Sequence, residues 1–183
     1  EFEPGERVEV DYAGDTLEWI DLLTGEIHKV YVFVAGLGFS QLLFAWAAED
    51  MKSENWQAAH RRMYEAYGGV PAVTVPDCLK QGVLKCHLYD PDLNPAYAEL
   101  GRHYHTAIVP ARPNHPKDKA IVEGLVKILM RYVRFRYRRH CFTSLGEINR
   151  ALAECVEHLN HRRHSRFAFS RRERFEQVEK AAL

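Results

Sequence analysis

Val30-Tyr31-Val32-Phe33-Val34-Ala35-Gly36-Leu37-Gly38-Phe39-Ser40-Gln41-Leu42-Leu43-Phe44-Ala45-Trp46-Ala47-Ala48 is a run of 19 residues without a charge. A membrane-spanning helix needs about 20 apolar residues, so the length alone would allow one. Gly36, Gly38, Ser40 and Gln41 break the run, however, and Val, Tyr, Phe and Trp dominate its flanks. Such residues fit pleated strands, and a small polar break between them fits a tight turn. The run therefore reads as parts of two strands, Ile27–Leu37 and Gln41–Ala47, folded into a hairpin. Neither arm alternates strictly, which implies burial on both faces, as in a sheet with helices on each side.

Outward from this hairpin the pattern stays consistent. Upstream, Arg7-Val8-Glu9-Val10-Asp11-Tyr12 alternates with period two and stops at Ala13-Gly14, a strand and a turn. Thr16–Asp21 reads as a short extension, closed by Thr24-Gly25. Downstream, Lys52–Tyr67 turns helical, with Trp56, Ala59, Met63 and Tyr67 at spacings of three and four. Ser53 is read as its N-cap and Gly68-Gly69 as its end. Val73-Thr74-Val75 is a short strand between Pro71 and Pro76, with Asp77 at its end. Leu79–Leu93 gives no clear reading. Asn94-Pro95 opens a helix to about His103, with cap and proline in the favoured order. Thr106–Val109 is another strand. The order predicts an α/β fold: a five-stranded mixed sheet, antiparallel first and parallel afterwards, with helices on both faces.

At 183 residues, with 46% hydrophobic and 27% charged residues, the chain has ordinary globular composition. Its zero net charge conceals a division. Residues 1–100 carry 7 Lys and Arg against 17 Asp and Glu, whereas residues 101–183 carry 18 against 8. A basic second half suggests a polyanion-binding surface there, unless folding interleaves the two halves. Cys78, Cys86, Cys141 and Cys155 show neither a CxxC pair nor a disulfide framework, which fits a reducing, cytoplasmic setting. Cys78, Cys86 and His87 match no common zinc spacing. The chain begins with Glu1 rather than Met, so a piece of a longer protein is expected.

Val109–Arg138 holds Pro110, Pro113 and Pro116 and then a long helical pattern. At 100° per residue from Lys119, the residues Lys119, Glu123, Lys127, Arg131, Arg134 and Arg138 share one arc. Ile121, Val122, Leu125, Val126, Ile128, Leu129, Met130 and Val133 fill the other side. Glu123 is the one acid in this cationic stripe; such an acid either forms i,i+4 ion pairs or holds a metal beside a bound polyanion. After a break near Cys141, Thr143-Ser144-Leu145-Gly146-Glu147 resembles a capping box and starts a helix to about Asn160. The basic tail from His161 to Arg174 reads as an arm or a short helix. The predicted division is a core over 1–142 and a C-terminal helix with basic tail over 143–183, leading to a further domain.

Three acids stand out by position: Asp11 on the first strand, Asp77 at the end of the fourth and Glu123 on the helix after the fifth. Ends of central strands are where open α/β sheets build sites. Three gathered carboxylates repel unless neutralised, and hard divalent cations are the usual means. Taken singly, each acid is as well explained by a turn or a solvated face.

The combination carries a resemblance. V-E-V-D-Y-A-G, G-G-V-P-A-V-T-V-P-D-C-L-K, the run Tyr104–Pro113 and P-K-D-K-A-I-V-E, followed by S-R-R-E-R-F-E in the tail, are together similar to the catalytic core of IstA-type transposases. These belong to the retroviral-integrase-like DDE superfamily, with an RNase H-like fold. The resemblance implies that Asp11, Asp77 and Glu123 form the catalytic triad and hold two Mg²⁺ (or Mn²⁺) ions, with Asp11 bridging them. It implies nicking of transposon-end DNA and transfer of the 3′-hydroxyl into target DNA. It further implies a homo-oligomer in the active complex and a separate IstB-like AAA+ ATPase helper; no P-loop pattern occurs in this chain. Arg112, His115, Lys117, Lys119, Lys127 and Arg131 would then contact DNA phosphates. One departure is Cys78, which follows the second Asp where the family usually carries Asn.

Overall fold

The computed structural model describes residues 2–77, 83–85, 92–93, 95–112, 115–164 and 168–183. Cys78, Cys86, His87, Asn94 and Arg166 lie outside the described residues. The elements are β1 (Arg7–Tyr12), β2 (Leu17–Ile20), β3 (Ile27–Leu37), β4 (Leu43–Ala48), α1 (Ser53–Tyr67), β5 (Val73–Val75), β6 (Val83–Lys85), β7 (Asp92–Leu93), α2 (Pro95–Tyr104), β8 (Ala107–Ile108), α3 (Ala120–Arg136), α4 (Leu145–His161) and α5 (Arg171–Gln177). A 3-10 turn over Pro116–Lys119 leads directly into α3.

The 19-residue uncharged run is the β3–β4 hairpin, with Tyr31 level with Ala48 and Gly36 level with Leu43. No helix among the described residues is long and apolar enough to cross a membrane. β3 is the hub of the main sheet, pairing antiparallel with β1, β2 and β4. β1 pairs parallel with β5, and β5 parallel with β8, so the sheet is mixed in the predicted order. It has six strands where five were expected. The sixth is β2, the segment read as an extension. Tyr12 is level with Phe33, Ala13 N–H donates to Val32 C=O, and Leu17 is level with Val30, so β2 resumes the ladder after a short break. Within the stretch that gave no reading, β6 and β7 form a separate two-stranded sheet.

Alternate residues of the central strands feed two cores. Val30, Val32 and Val34 of β3 pack with Val122, Leu125, Leu129 and Val133 of α3 and Ile148, Leu152 and Cys155 of α4. Phe33, Ala35 and Leu37, with Val8 and Val10 of β1, pack on the other face with Trp56, Met63 and Tyr67 of α1, Tyr97 of α2 and Phe175 of α5. Helices therefore cover both faces. Gly36 lets α3 pack closely on β3, because a Cβ there would overlap the Leu125 side chain. The free edge of β4 is closed by α4. Asn149 accepts from the Ala47 N–H and donates to its C=O, and Asn160 does the same for Leu43, which removes a template for edge pairing.

The helix ends follow local chemistry. Gly68 ends α1 in the left-handed conformation at φ 72°, as expected. Ser53 is the first helical residue and Lys52 the N-cap, a correction; Asp50 accepts from the Lys52 N–H just ahead of the helix. Ser144 caps α4 by accepting from the Glu147 N–H, while Glu147 accepts from the Thr143 N–H, one residue further back than in a capping box. The tail holds the full reciprocal box, Ser170 with Glu173, at the start of α5.

The α1 core contains a buried histidine. His60 is fully buried, 2.8 Å from the Trp56 carbonyl through Nδ1 and 3.1 Å from the Tyr97 hydroxyl through Nε2. Burial pulls its pKa from 6.5 down to about 4, against the opposing pull of the Trp56 carbonyl. The unfolded chain binds a proton through pH 6.5 while the folded chain refuses it until about pH 4. Stability is therefore complete above pH 6.5 and falls between 6.5 and 4, by about 3 kcal/mol in all. Urea melts at pH 7 and pH 4.5 check this: His60→Gln should lack that component of acid loss, and parallel pH curves for the two proteins would rule it out.

Candidate active site

The odd residues of β1 all face the start of α3, and each holds part of residues 118–122. Arg7 donates to the Asp118 carbonyl at 2.6 Å. Glu9, fully buried, accepts the backbone N–H groups of Ile121 and Val122, both at 3.0 Å. Its other oxygen lies 3.3 Å from the Arg7 guanidinium. Helix α3 has no side-chain cap of its own at Lys119, so Glu9 supplies from β1 the acceptor that two of the first N–H groups require. Burial pushes the Glu9 carboxyl above the usual carboxylate range, although both N–H groups and Arg7 oppose this.

Asp11, next along the same face, meets Lys119. The ammonium is 2.9 Å from Asp11 Oδ2 and 3.2 Å from Asp77 Oδ2. Two carboxylates from the carboxyl ends of adjacent parallel strands thus converge on one cation. Lys119 is 8% exposed. Burial alone would lower its pKa, but Asp11 and Asp77 together raise it above the ordinary lysine value. The aspartates stay accessible, with side chains 24% and 39% exposed. They border a cavity of about 130 Å³ whose other walls are Tyr12, Ala13, Gly14, Tyr31, Met51 and Trp56.

Glu123 is half-buried on α3, one turn beyond Lys119. Among the described residues, no three of His, Cys, Asp and Glu gather closely enough to hold a metal ion. The structure therefore joins Asp11 to Asp77 and leaves Glu123 outside that pair. Of the predicted DNA contacts, His115, Lys117, Lys127 and Arg131 are exposed. Arg112 is engaged: its guanidinium makes two bonds of 2.8 Å to Asp118 and holds that carboxyl well below the usual range. Lys119 is not on the open stripe but inside, on the two aspartates. Glu9, Tyr12 and Trp56 were not foreseen as parts of the site. The period-two pattern did place Glu9 on the same face as Asp11, which was the available signal.

A β1–β3–β4 meander followed by parallel β5 and β8, with an acid pair at the β1 and β5 ends, defines the class: an integrase-like α/β core. The chain belongs to the integrase core domain family, whose model matches residues 3–116. That match takes in Asp11 and Asp77 and stops short of Glu123. A putative transposase of Sinorhizobium fredii is 42% identical over 179 residues, covering 98% of this chain and 35% of the relative. A putative transposase for insertion sequence IS1162 of Pseudomonas fluorescens is 38% identical over 179 residues, covering 98% of this chain and 32% of the relative. The transposase for insertion sequence element IS21 of Pseudomonas aeruginosa is 29% identical over 134 residues, covering 73% and 34%. The chain thus spans about a third of the length of these relatives. Among solved structures, the magnesium complex of the HTLV-2 integrase catalytic core domain in its dimeric form superposes with a TM-score of 0.62 at 14% identity, covering 95% of this chain and 98% of that one. A chain of the simian T-cell lymphotropic virus intasome superposes at 0.69 with 13% identity, covering 96% and 55%. These likenesses establish the fold.

Proposed function

We propose that this chain is the catalytic core of a DDE-type transposase, which nicks transposon-end DNA and joins the freed 3′-hydroxyl to target DNA. The observation that carries the reading is the convergence of Asp11 and Asp77 on a single cation, Lys119 Nζ, at 2.9 and 3.2 Å. Carboxylate oxygens are the hard donors that Mg²⁺ or Mn²⁺ prefers, and the ammonium marks where positive charge is stabilised between them. Asp11 and Asp77 would hold the ions, with Glu123 on the adjoining helix as the third ligand. When bound, the two ions would supply activation of the attacking oxygen and stabilisation of the leaving oxygen in phosphodiester exchange.

The chain's own residues do the positioning. Glu9 and Arg7 fix the start of α3 against β1, which sets the height of Glu123 relative to Asp11. Lys127 and Arg131, exposed further along α3, hold DNA phosphates by charge, and His115 and Lys117 do so at its entrance. Partners are DNA, further copies of the chain and, by the resemblance to IstA-type transposases, an IstB-like AAA+ ATPase; a bacterial cytoplasm is the matching compartment. The test is incubation of the full-length parent with transposon-end DNA, target DNA and Mg²⁺ or Mn²⁺. Joined products support the reading. Hydrolysed ends alone would favour a nuclease, and binding without cleavage would favour an inactive DNA-binding core, which Cys78 in place of the usual Asn motivates.

Lys119 and a divalent ion compete for the same carboxylates in this reading. Unit charges about 4 Å apart interact by roughly 4 kcal/mol at an effective dielectric of 20, and partial exposure reduces this. Lys119→Met is therefore expected to tighten Mn²⁺ binding about tenfold or more in a calorimetric titration. Unchanged or weaker binding would show that the ammonium does not occupy the cation position.

A further inference from the structure

We propose that the β2–β3 hairpin of one copy of this chain docks into a groove lined by α3, the end of α4 and the start of α5 of a second copy. The groove has a volume of about 1070 Å³ and combines an apolar floor with cationic walls. Ile128, Phe135 and Leu159 supply apolar surface; Arg162, Arg163 and Arg171 supply charge. Ile128 and Phe135 are 39% and 65% exposed, large apolar side chains left in water on a helix face. Arg171 is only 8% exposed, and among the described residues no carboxylate pairs with it. It donates to the Leu159 carbonyl while its Nε has no partner among the described residues, and burial together with Arg162 lowers its pKa. A buried cation beside further arginines is costly until an anion arrives.

The hairpin tip has the complementary character. Leu22 and Leu23 are 76% and 97% exposed, and Ile27 is 56% exposed. Glu18, Asp21 and Glu26 lie around them. The tip is held in one shape: Asp21 accepts from the Leu23 and Thr24 N–H groups, Asp21 N–H donates to the Glu26 carbonyl, and Gly25 takes φ 73°. Those bonds keep Asp21 ionised by lowering its pKa. A rigid pair of leucines flanked by acids loses little entropy on docking, and it offers an anion to Arg171 and apolar area to Ile128 and Phe135.

A hairpin cannot fill its own groove. Ile20, paired with Ile27 beside the tip, donates to the Phe142 carbonyl and so pins the tip just ahead of the start of α4, whereas Leu159 at the far end of α4 lines the groove. The two ends lie about 20 Å apart at 1.5 Å per residue. Hairpin and groove are different surfaces of one chain, so the contact is made twice in a two-fold dimer or once per copy in a ring or chain.

The test is light scattering across a concentration series, with DNA binding measured alongside. Leu23→Asp alters a nearly fully exposed turn residue, so folding is retained. It should weaken association at least tenfold, as should Arg162→Glu with Arg163→Glu. Mixing the arginine double variant with a Glu18→Lys, Glu26→Lys variant should restore association. A monomer at all concentrations, or association indifferent to Leu23→Asp, overturns the proposal. If the arginine variant weakens DNA binding but leaves association intact, the groove takes nucleic acid and the proposal fails.

Discussion

Asp11→Asn is expected to lower strand cleavage by on the order of 10³-fold or more, since ligands that act as a unit lose most of their effect together. The substitution keeps shape and volume but removes the charge that Lys119 meets at 2.9 Å. Asn also offers one neutral carbonyl oxygen where the carboxylate offered two charged ones, a poor exchange for a hard divalent ion. A second readout separates loss of metal binding from loss of fold. Saturating Mg²⁺ or Mn²⁺ should raise the melting temperature of the unsubstituted protein, because a ligand that binds only the folded state stabilises it by mass action. Asp11→Asn should abolish that rise and still show a cooperative melt without metal. An activity within tenfold of the parent would remove Asp11 from the chemistry.

The parts of this fold that were legible are those fixed by local pattern. Val30–Ala48 announced itself as a doubly buried hairpin because its two arms are almost wholly apolar and its polar break is confined to Ser40-Gln41. Pro71 and Pro76 bracketed β5, so Asp77 at its end could be placed without any tertiary information. Lys119 was misjudged for a definable reason. The helical wheel was phased from Lys119 at 100° per residue, but residues 116–119 form a 3-10 turn and the α-helix begins only at Ala120. Lys119 is the N-cap of α3 with φ −130°, outside the helical range, so the helical phase does not extend back to it. Lys119 consequently turns inward to the aspartates while Lys127 and Arg131 remain outside. Ile128, assigned to the buried side, is 39% exposed because it sits at the margin of that arc. The pairing of Glu9 with the α3 N-terminus was invisible, since it joins residues 112 and 113 positions apart and depends on the sheet being assembled.

Glu9→Ala is expected to cost about 3 kcal/mol of folding stability, measured by urea melts at neutral pH. Two N–H groups at the start of α3 would lose the acceptor that a fully buried side chain supplies, and the Arg7 guanidinium would lose its buried counter-charge. Glu9→Gln retains one acceptor oxygen but turns an amide N–H₂ toward Arg7 or toward the helix N–H groups, so an intermediate loss is expected. Glu9 touches neither aspartate through any of its bonds, so it acts as a positioning residue. Its effect on chemistry should therefore appear as a lower single-turnover rate with DNA affinity and Mn²⁺ affinity close to the parent's. The phosphate contacts and the Asp11–Asp77 pair stay in place, while α3 loses its register against β1 and Glu123 shifts with it. If Glu9→Gln melted like the parent and turned over at the parent's rate, the helix would be held by its apolar face alone. Leu125, Leu129 and Val133 would then be sufficient to set the height of Glu123.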